Sequence, residues 1–83
     1  MTASHATLTP DRCRRARELL GWSQERLAGE AGLDRTTPGY FERGRPTSAA
    51  TVGLIARALE AGGVEFLPEG DVRLRERQGE ARA

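Results

Sequence analysis

The sequence predicts a small, mainly α-helical fold that ends in a short β-hairpin. Apolar residues recur at helical spacing in several segments, capping residues stand just before those segments, and glycines stand just after them. The chain has 83 residues, of which 37% are hydrophobic and 30% charged. We therefore expect one domain whose core is built from leucine, valine and alanine.

The first two helices have clear start and stop signals. Thr9 and Pro10 start the first, which Gly21 ends, and Ser23 starts the second, which Gly32 ends. The residues that we expect to face the core are Cys13, Ala16, Leu19 and Leu20 in the first helix, and Leu27, Ala28 and Ala31 in the second.

The third segment, residues 34–43, contains an internal conflict at Pro38 and Gly39. If Asp34 is the cap, Pro38 takes the fourth helical position and removes a main-chain hydrogen bond. If Thr37 is the cap, Pro38 takes the favourable first position, and the helix has barely two turns. Both starts remain open at this point.

A fourth helix begins after Ser48 and a hairpin follows it. Val52, Ile55, Ala56 and Leu59 form the apolar face of this helix. Beyond Gly62 and Gly63, alternating apolar and polar residues flank Pro-Glu-Gly-Asp, which is typical of a hairpin. The predicted divisions are a flexible tail over 1–8, a helical domain over 9–61, a hairpin over 62–75 and a second flexible tail over 76–83.

Composition excludes several classes of protein. Cys13 is the only cysteine and His5 the only histidine, so one chain can form neither a disulfide nor a zinc cluster. The acidic residues are interleaved with arginine at helical spacing, so we expect neither an enzyme nor a cofactor. Apolar runs are too short for a membrane span, and the first residues lack a secretory pattern, so we expect a soluble, cytoplasmic protein without membrane contact.

Basic residues are concentrated in the first half of the chain. All thirteen are arginine, and residues 1–47 contain eight of them against six acidic residues. Arginine suits bidentate contacts with phosphate or guanine, although a GC-rich coding sequence explains the same preference.

Three segments together sharpen the prediction: RRARELLGWSQERLAGEAGLDRTT, YFERGR and SAATVGLIARALEAGGVEF. From about Arg12 to Leu67 the chain closely resembles the Xre, Cro and phage-repressor family of DNA-binding domains. The resemblance implies a four- to five-helix, repressor-like helix-turn-helix domain, followed here by the hairpin. Its third helix docks in the major groove of double-stranded DNA while its second crosses the backbone.

The resemblance also implies roles for individual residues. The base-reading residues would be Arg35, Thr36 and Tyr40, and the phosphate-binding residues Gln24, Thr37, Arg43 and Arg45. Arg17 and Glu42 would form an ion pair between the first and third helices. Pro38 and Gly39 depart from the family pattern, which has an aliphatic and a small polar residue there. Phe41 and Cys13 are expected in the core, whereas Tyr40 could pack in the core or contact DNA.

The expected function is a bacterial transcriptional regulator that acts as a homodimeric repressor on a two-fold operator. Dimerisation is expected at the hairpin, through its strand edge and an apolar face of Val64, Phe66, Val72 and Leu74. Two alternatives stay open. One is the antitoxin of a toxin pair, and the other is a protein-interaction module that has lost DNA binding.

Overall fold

A computed structural model describes residues 8–75, which form four helices and a two-stranded hairpin. The helices are α1 (Pro10–Leu20), α2 (Gln24–Ala31), α3 (Thr37–Glu42) and α4 (Ala49–Gly62). The antiparallel strands are β1 (Val64–Phe66) and β2 (Val72–Leu74). Within residues 8–75, no helix is long and apolar enough to cross a membrane. The mainly α-helical prediction with a terminal hairpin is confirmed.

Three of the helices start where their capping residues predict. The hydroxyls of Thr9, Ser23 and Ser48 each accept a hydrogen bond from the backbone N–H three residues on, at 2.9 to 3.1 Å. Gly21 and Gly32 end α1 and α2 with φ of 71° and 72°, the left-handed conformation that glycine adopts without strain. These local signals fix the bounds of α1 and α2 and the start of α4.

The core lies where α1, α2 and α4 meet the hairpin. Its buried side chains include Cys13, Ala16, Leu27, Ala28, Phe41, Ile55, Ala56, Leu59 and Val64, and Val52 packs against them. Two expectations need correction. Leu8, assigned to a flexible tail, is only 7% exposed and belongs to the core, and Leu19 is 43% exposed because it lies at the outer edge of the α1 apolar face. The rest of the tails predicted over 1–8 and 76–83, with His5, lies outside the described residues.

Trp22 covers the C-terminal end of α4. A Cβ at Gly62 would lie 2.7 Å from Cη2 of the indole, so only glycine allows this approach. The Arg26 guanidinium lies over the indole ring at 4.9 Å. The packing of Trp22 on Gly62 ties the loop between α1 and α2 to the end of α4, just before β1.

The hairpin packs its apolar side chains inward. Val64 pairs with Leu74 and Phe66 with Val72 across the two strands. Val64, Phe66 and Val72 are 0%, 9% and 9% exposed, because β2 lies against α1 and β1 against α4. Of the apolar face predicted to form a dimer contact, these three side chains therefore belong to the core of the chain itself, and Leu74, 50% exposed, remains outside it.

Candidate nucleic-acid interface

A tight connection carries the chain from α2 to α3. After Gly32, the Leu33 N–H bonds to the Ala28 carbonyl at 2.9 Å, which folds Leu33 back onto the core. Asp34 then accepts hydrogen bonds from the backbone N–H of Thr36, at 3.0 Å, and from the Thr36 hydroxyl. These bonds lower the pKa of the Asp34 carboxyl. The turn leaves the side chains of Arg35 and Thr36 in solvent.

The start of α3 differs from both predicted alternatives. Thr36 is the N-cap, Thr37 the first helical residue and Pro38 the second. At the second position the missing proline N–H leaves no helical bond unmade, because the first N–H groups of a helix have no intrahelical partner. The first main-chain bond of the helix, from the Tyr40 N–H to the Thr36 carbonyl, is formed at 3.1 Å. Pro38 is fully buried and supplies apolar surface to the core.

Gly39 allows α2 to approach α3 closely. A Cβ at this position would lie 3.0 Å from Oε1 of Gln24 and 3.5 Å from Nη1 of Arg43. A side chain at position 39 would therefore require the end of the Gln24 side chain to shift by a few tenths of an ångström.

The carboxylate of Glu42 joins α3 to α1 and α2. Arg17 of α1 donates to it from Nε and Nη2, both at 2.9 Å, and Gln24 of α2 donates from Nε2 at 3.0 Å. The third Arg17 nitrogen, Nη1, bonds to the Trp22 carbonyl at 3.0 Å. Because the Arg17 and Glu42 side chains are only 15% and 4% exposed, water screens the pair weakly. The predicted Arg17–Glu42 pair is confirmed.

The buried thiol of Cys13 completes this cluster. Its Sγ lies 3.3 Å from Oε2 of Glu42. Burial raises the pKa of Cys13, and the Glu42 carboxylate raises it further, so the thiol stays protonated and donates. Burial also raises the pKa of Glu42, but the hydrogen bonds from Arg17, Gln24 and Cys13 outweigh it and leave that pKa below its ordinary value. The carboxyl is therefore ionised at neutral pH.

Arg35 is held by a carboxylate that the sequence analysis did not single out. Its Nη1 lies 3.3 Å from Oε2 of Glu25, in the first turn of α2. Both side chains are mostly exposed. Glu25 borders the cleft between α2 and α3, where the other lining residues are Gln24, Arg35, Thr36, Gly39 and Arg43. Its place beside Gln24 in the sequence, among predicted DNA contacts, is the signal that could have identified it.

Tyr40 lies on the surface at the C-terminal end of α3. It is 45% exposed, which decides against the core alternative, and the buried aromatic side chain of α3 is Phe41. The guanidinium groups of Arg43 and Arg45 lie over the Tyr40 ring, 5.3 and 5.4 Å from its centroid. The ring thereby holds two cations near each other at one end of the helix.

The arginines of residues 8–75 differ in whether a carboxylate lies beside them. Carboxylates pair with Arg14, Arg15, Arg17, Arg26, Arg35 and Arg73. Within residues 8–75, no carboxylate pairs with Arg43 or Arg45. The end of α3 therefore presents uncompensated positive charge.

The predicted site residues thus fall into two adjoining groups. Gln24, Arg35, Thr36 and Arg43 share the cleft, while Tyr40, Arg43 and Arg45 form the cluster at the end of α3. Thr37 belongs to neither group; it is the first residue of α3 and is half-buried.

Comparison with protein families shows which family the chain belongs to. A family model described as Helix-turn-helix, HTH_3, matches residues 14–66, which span α2, the turn and α3 together with most of α1, all of α4 and β1. The chain belongs to this family. The helix-turn-helix unit is α2, the turn after Gly32 and α3, and the family is one of DNA-binding regulators rather than enzymes. No curated protein matches the chain.

Proposed function

We propose that this helix-turn-helix protein is a sequence-specific regulator of transcription that reads double-stranded DNA with the α3 segment. The observation that carries the proposal is the continuous surface formed by the cleft and the arginine cluster on Tyr40. It combines side chains able to read base edges with positive charge that carboxylates do not neutralise. Both are needed, because phosphate contacts supply affinity and base contacts supply specificity.

Base reading is assigned to three side chains. Arg35 can grip O6 and N7 of guanine with two hydrogen bonds, and Thr36 can contact a thymine methyl group or a base edge. The Tyr40 hydroxyl can donate to a base one helical turn further along. All three side chains are exposed, as a reader of the major groove requires.

Phosphate binding is assigned to Gln24, Thr37, Arg43 and Arg45. One hydrogen of Gln24 Nε2 goes to Glu42, and the second is left to donate to a phosphate. The bond to Glu42 therefore orients the Gln24 amide without using both of its N–H donors. Arg43 and Arg45 reach a neighbouring phosphate from the end of α3, and release of counterions from these contacts makes binding weaken with salt.

The regulator is further proposed to act as a homodimeric repressor that occupies a two-fold operator. The burial of Val64, Phe66 and Val72 moves the proposed contact to the β2 edge with Leu74 and Leu19. Leu19 and Leu74 line one groove on this side of the protomer and are 43% and 50% exposed. A two-fold dimer would set its α3 segments about 34 Å apart, one turn of duplex.

The deciding experiment is selection of bound duplexes from a random pool at about 0.15 M salt, followed by a salt titration on the selected sequence. A two-fold motif with half-sites one turn apart supports the dimeric regulator, and the mass of the free protein in solution tests the dimer separately. Absence of enrichment, or equally weak binding to every duplex, would favour the protein-interaction module.

The antitoxin alternative shares the DNA-binding surface, and no contact of residues 8–75 favours it. It predicts the same selected motif together with binding of the product of a neighbouring gene. Co-purification of the two gene products from one operon separates it from a regulator that acts alone.

A further inference from the structure

Glu25 is an acidic side chain in the middle of the surface proposed to meet DNA. It lines the cleft beside Gln24 and Arg43, and its carboxylate lies 3.3 Å from the Arg35 guanidinium. Its side chain is 64% exposed, so it is neither buried structure nor shielded from an approaching phosphate. Negative charge at this position opposes the contact that holds the duplex, and it therefore calls for an explanation.

We propose that Glu25 limits the affinity for DNA by competing with the duplex for Arg35. The carboxylate offers acceptors of the same charge as a phosphate, so transferring Arg35 from Glu25 to the DNA backbone gains little. Guanine offers two acceptors in one plane, which match the planar guanidinium. Glu25 thus holds Arg35 on a duplex without the correct base, and guanine displaces the carboxylate at a cost in affinity. The inference rests on the proposed function.

The exposure of the pair makes this exchange possible. Arg35 and Glu25 are 74% and 64% exposed, and pairs of this kind contribute little to stability, so a base can displace the carboxylate easily. The buried pair of Arg17 and Glu42 could not exchange in this way without disrupting the junction of α1 and α3.

The same helix provides a matched control. Arg26 and Glu30 of α2 also form an exposed pair, 2.9 Å apart, with side chains 56% and 45% exposed. Neither lines the cleft. Glu25→Gln and Glu30→Gln change the net charge by the same amount and leave an arginine without its carboxylate, but only the first does so within the proposed interface.

The test measures binding of the full chain and both variants to the selected duplex and to a random duplex over a range of salt. We expect Glu25→Gln to bind random DNA about fivefold more tightly than Glu30→Gln does. Its salt slope on random DNA should steepen by about 0.9, the value of one additional phosphate contact. Arg35 must leave Glu25 on the selected duplex too, so Glu25→Gln should also bind that duplex about fivefold more tightly than Glu30→Gln does. The ratio of specific to random binding should therefore stay about the same in both variants.

A second background shows whether Glu25 acts through Arg35. In Arg35→Ala protein, Glu25→Gln should change the salt slope no more than Glu30→Gln does. A carboxylate at position 25 also stabilises the first turn of α2. Thermal unfolding of each variant measures that contribution to stability, which does not affect the salt slope of DNA binding.

Two results would overturn the inference. The first is that the wild-type protein binds its selected duplex but both glutamine variants change the affinity for random DNA equally. Net charge alone would then explain the change, and the proposed regulator would stand without this role for Glu25. If the wild-type protein enriches no sequence and binds no duplex, the proposed function fails, and the role of Glu25 fails with it.

Discussion

Two arginine–glutamate pairs join the segment around α3 to the helices before it, and they differ in exposure. Arg17 and Glu42 are 15% and 4% exposed and share their bonds with Gln24 and Cys13, whereas Arg35 and Glu25 are 74% and 64% exposed and bond to each other. The buried pair fixes where α3 lies, because an unpaired charge there is costly. The exposed pair leaves Arg35 available to another acceptor. One kind of interaction thus serves structure in one place and, in the function we propose, recognition in the other.

The largest expected effect comes from breaking the buried pair. Glu42→Gln keeps the shape of the side chain but leaves the Arg17 charge without a partner, so the free energy of unfolding should fall by about 3 kcal/mol. Glu30→Gln, which breaks an exposed pair, should change it by less than about 1 kcal/mol. Denaturant unfolding of both variants measures the difference. Equal losses would mean that burial does not distinguish the pairs.

Acid should weaken the buried pair because protonation of Glu42 removes its charge. The pKa of Glu42 lies below its ordinary value of 4.5, so its contribution to stability is complete above that pH and is lost as the pH falls through the lower folded value. The unfolding midpoint of the wild-type protein should therefore decline below about pH 4.5, whereas Glu42→Gln should show a shallower decline. Asp34, whose pKa is also lowered, accounts for part of the slope that remains. Parallel curves for the two proteins would contradict the assignment.

Removing the exposed arginine should alter binding and leave stability almost unchanged. Arg35→Ala should cost about 1 to 3 kcal/mol on the selected duplex and relax specificity at one base pair, while the free energy of unfolding moves by less than about 0.5 kcal/mol. Binding to single-base variants of the duplex measures both. A loss that is the same on every duplex would make Arg35 a phosphate contact instead.

The smallest effects are expected at Tyr40. Tyr40→Phe keeps the ring under Arg43 and Arg45 and should lose discrimination at one base pair only. Tyr40→Leu also removes the cation–π contacts and should weaken binding to random DNA by about 0.5 to 1 kcal/mol. Titrating both variants on the selected and random duplexes compares the hydroxyl with the ring. An unchanged Tyr40→Leu protein would show that the ring does not order the two arginines.

Short-range signals made most of the fold predictable. The caps at Thr9, Ser23 and Ser48 and the glycines after α1 and α2 act through bonds to residues a few positions away, so the sequence alone contains them. The apolar spacing of α4 likewise needs no knowledge of other helices. The family motif indicated the Arg17–Glu42 pair, which periodicity would not have revealed.

Contacts between distant segments explain what the sequence did not predict. Whether Val64 and Phe66 face a partner or the core depends on where α1 and α4 lie, and Leu19 is exposed because the neighbouring elements do not extend over it. At the candidate site, the Glu25–Arg35 bond requires the turn after Gly32 to bring residues ten positions apart together. The alternation of apolar residues in strands and their spacing in helices specify which face is apolar but not which element covers that face.

The thiol of Cys13 gives this architecture a built-in reporter. It is fully buried, protonated and bonded to the carboxylate that anchors α3, so a reagent reaches it only when the packing around it opens. Because the chain has no other cysteine, its rate of alkylation measures the opening of the core around this one residue. Slower labelling in the presence of duplex would show that binding of DNA stabilises this part of the fold.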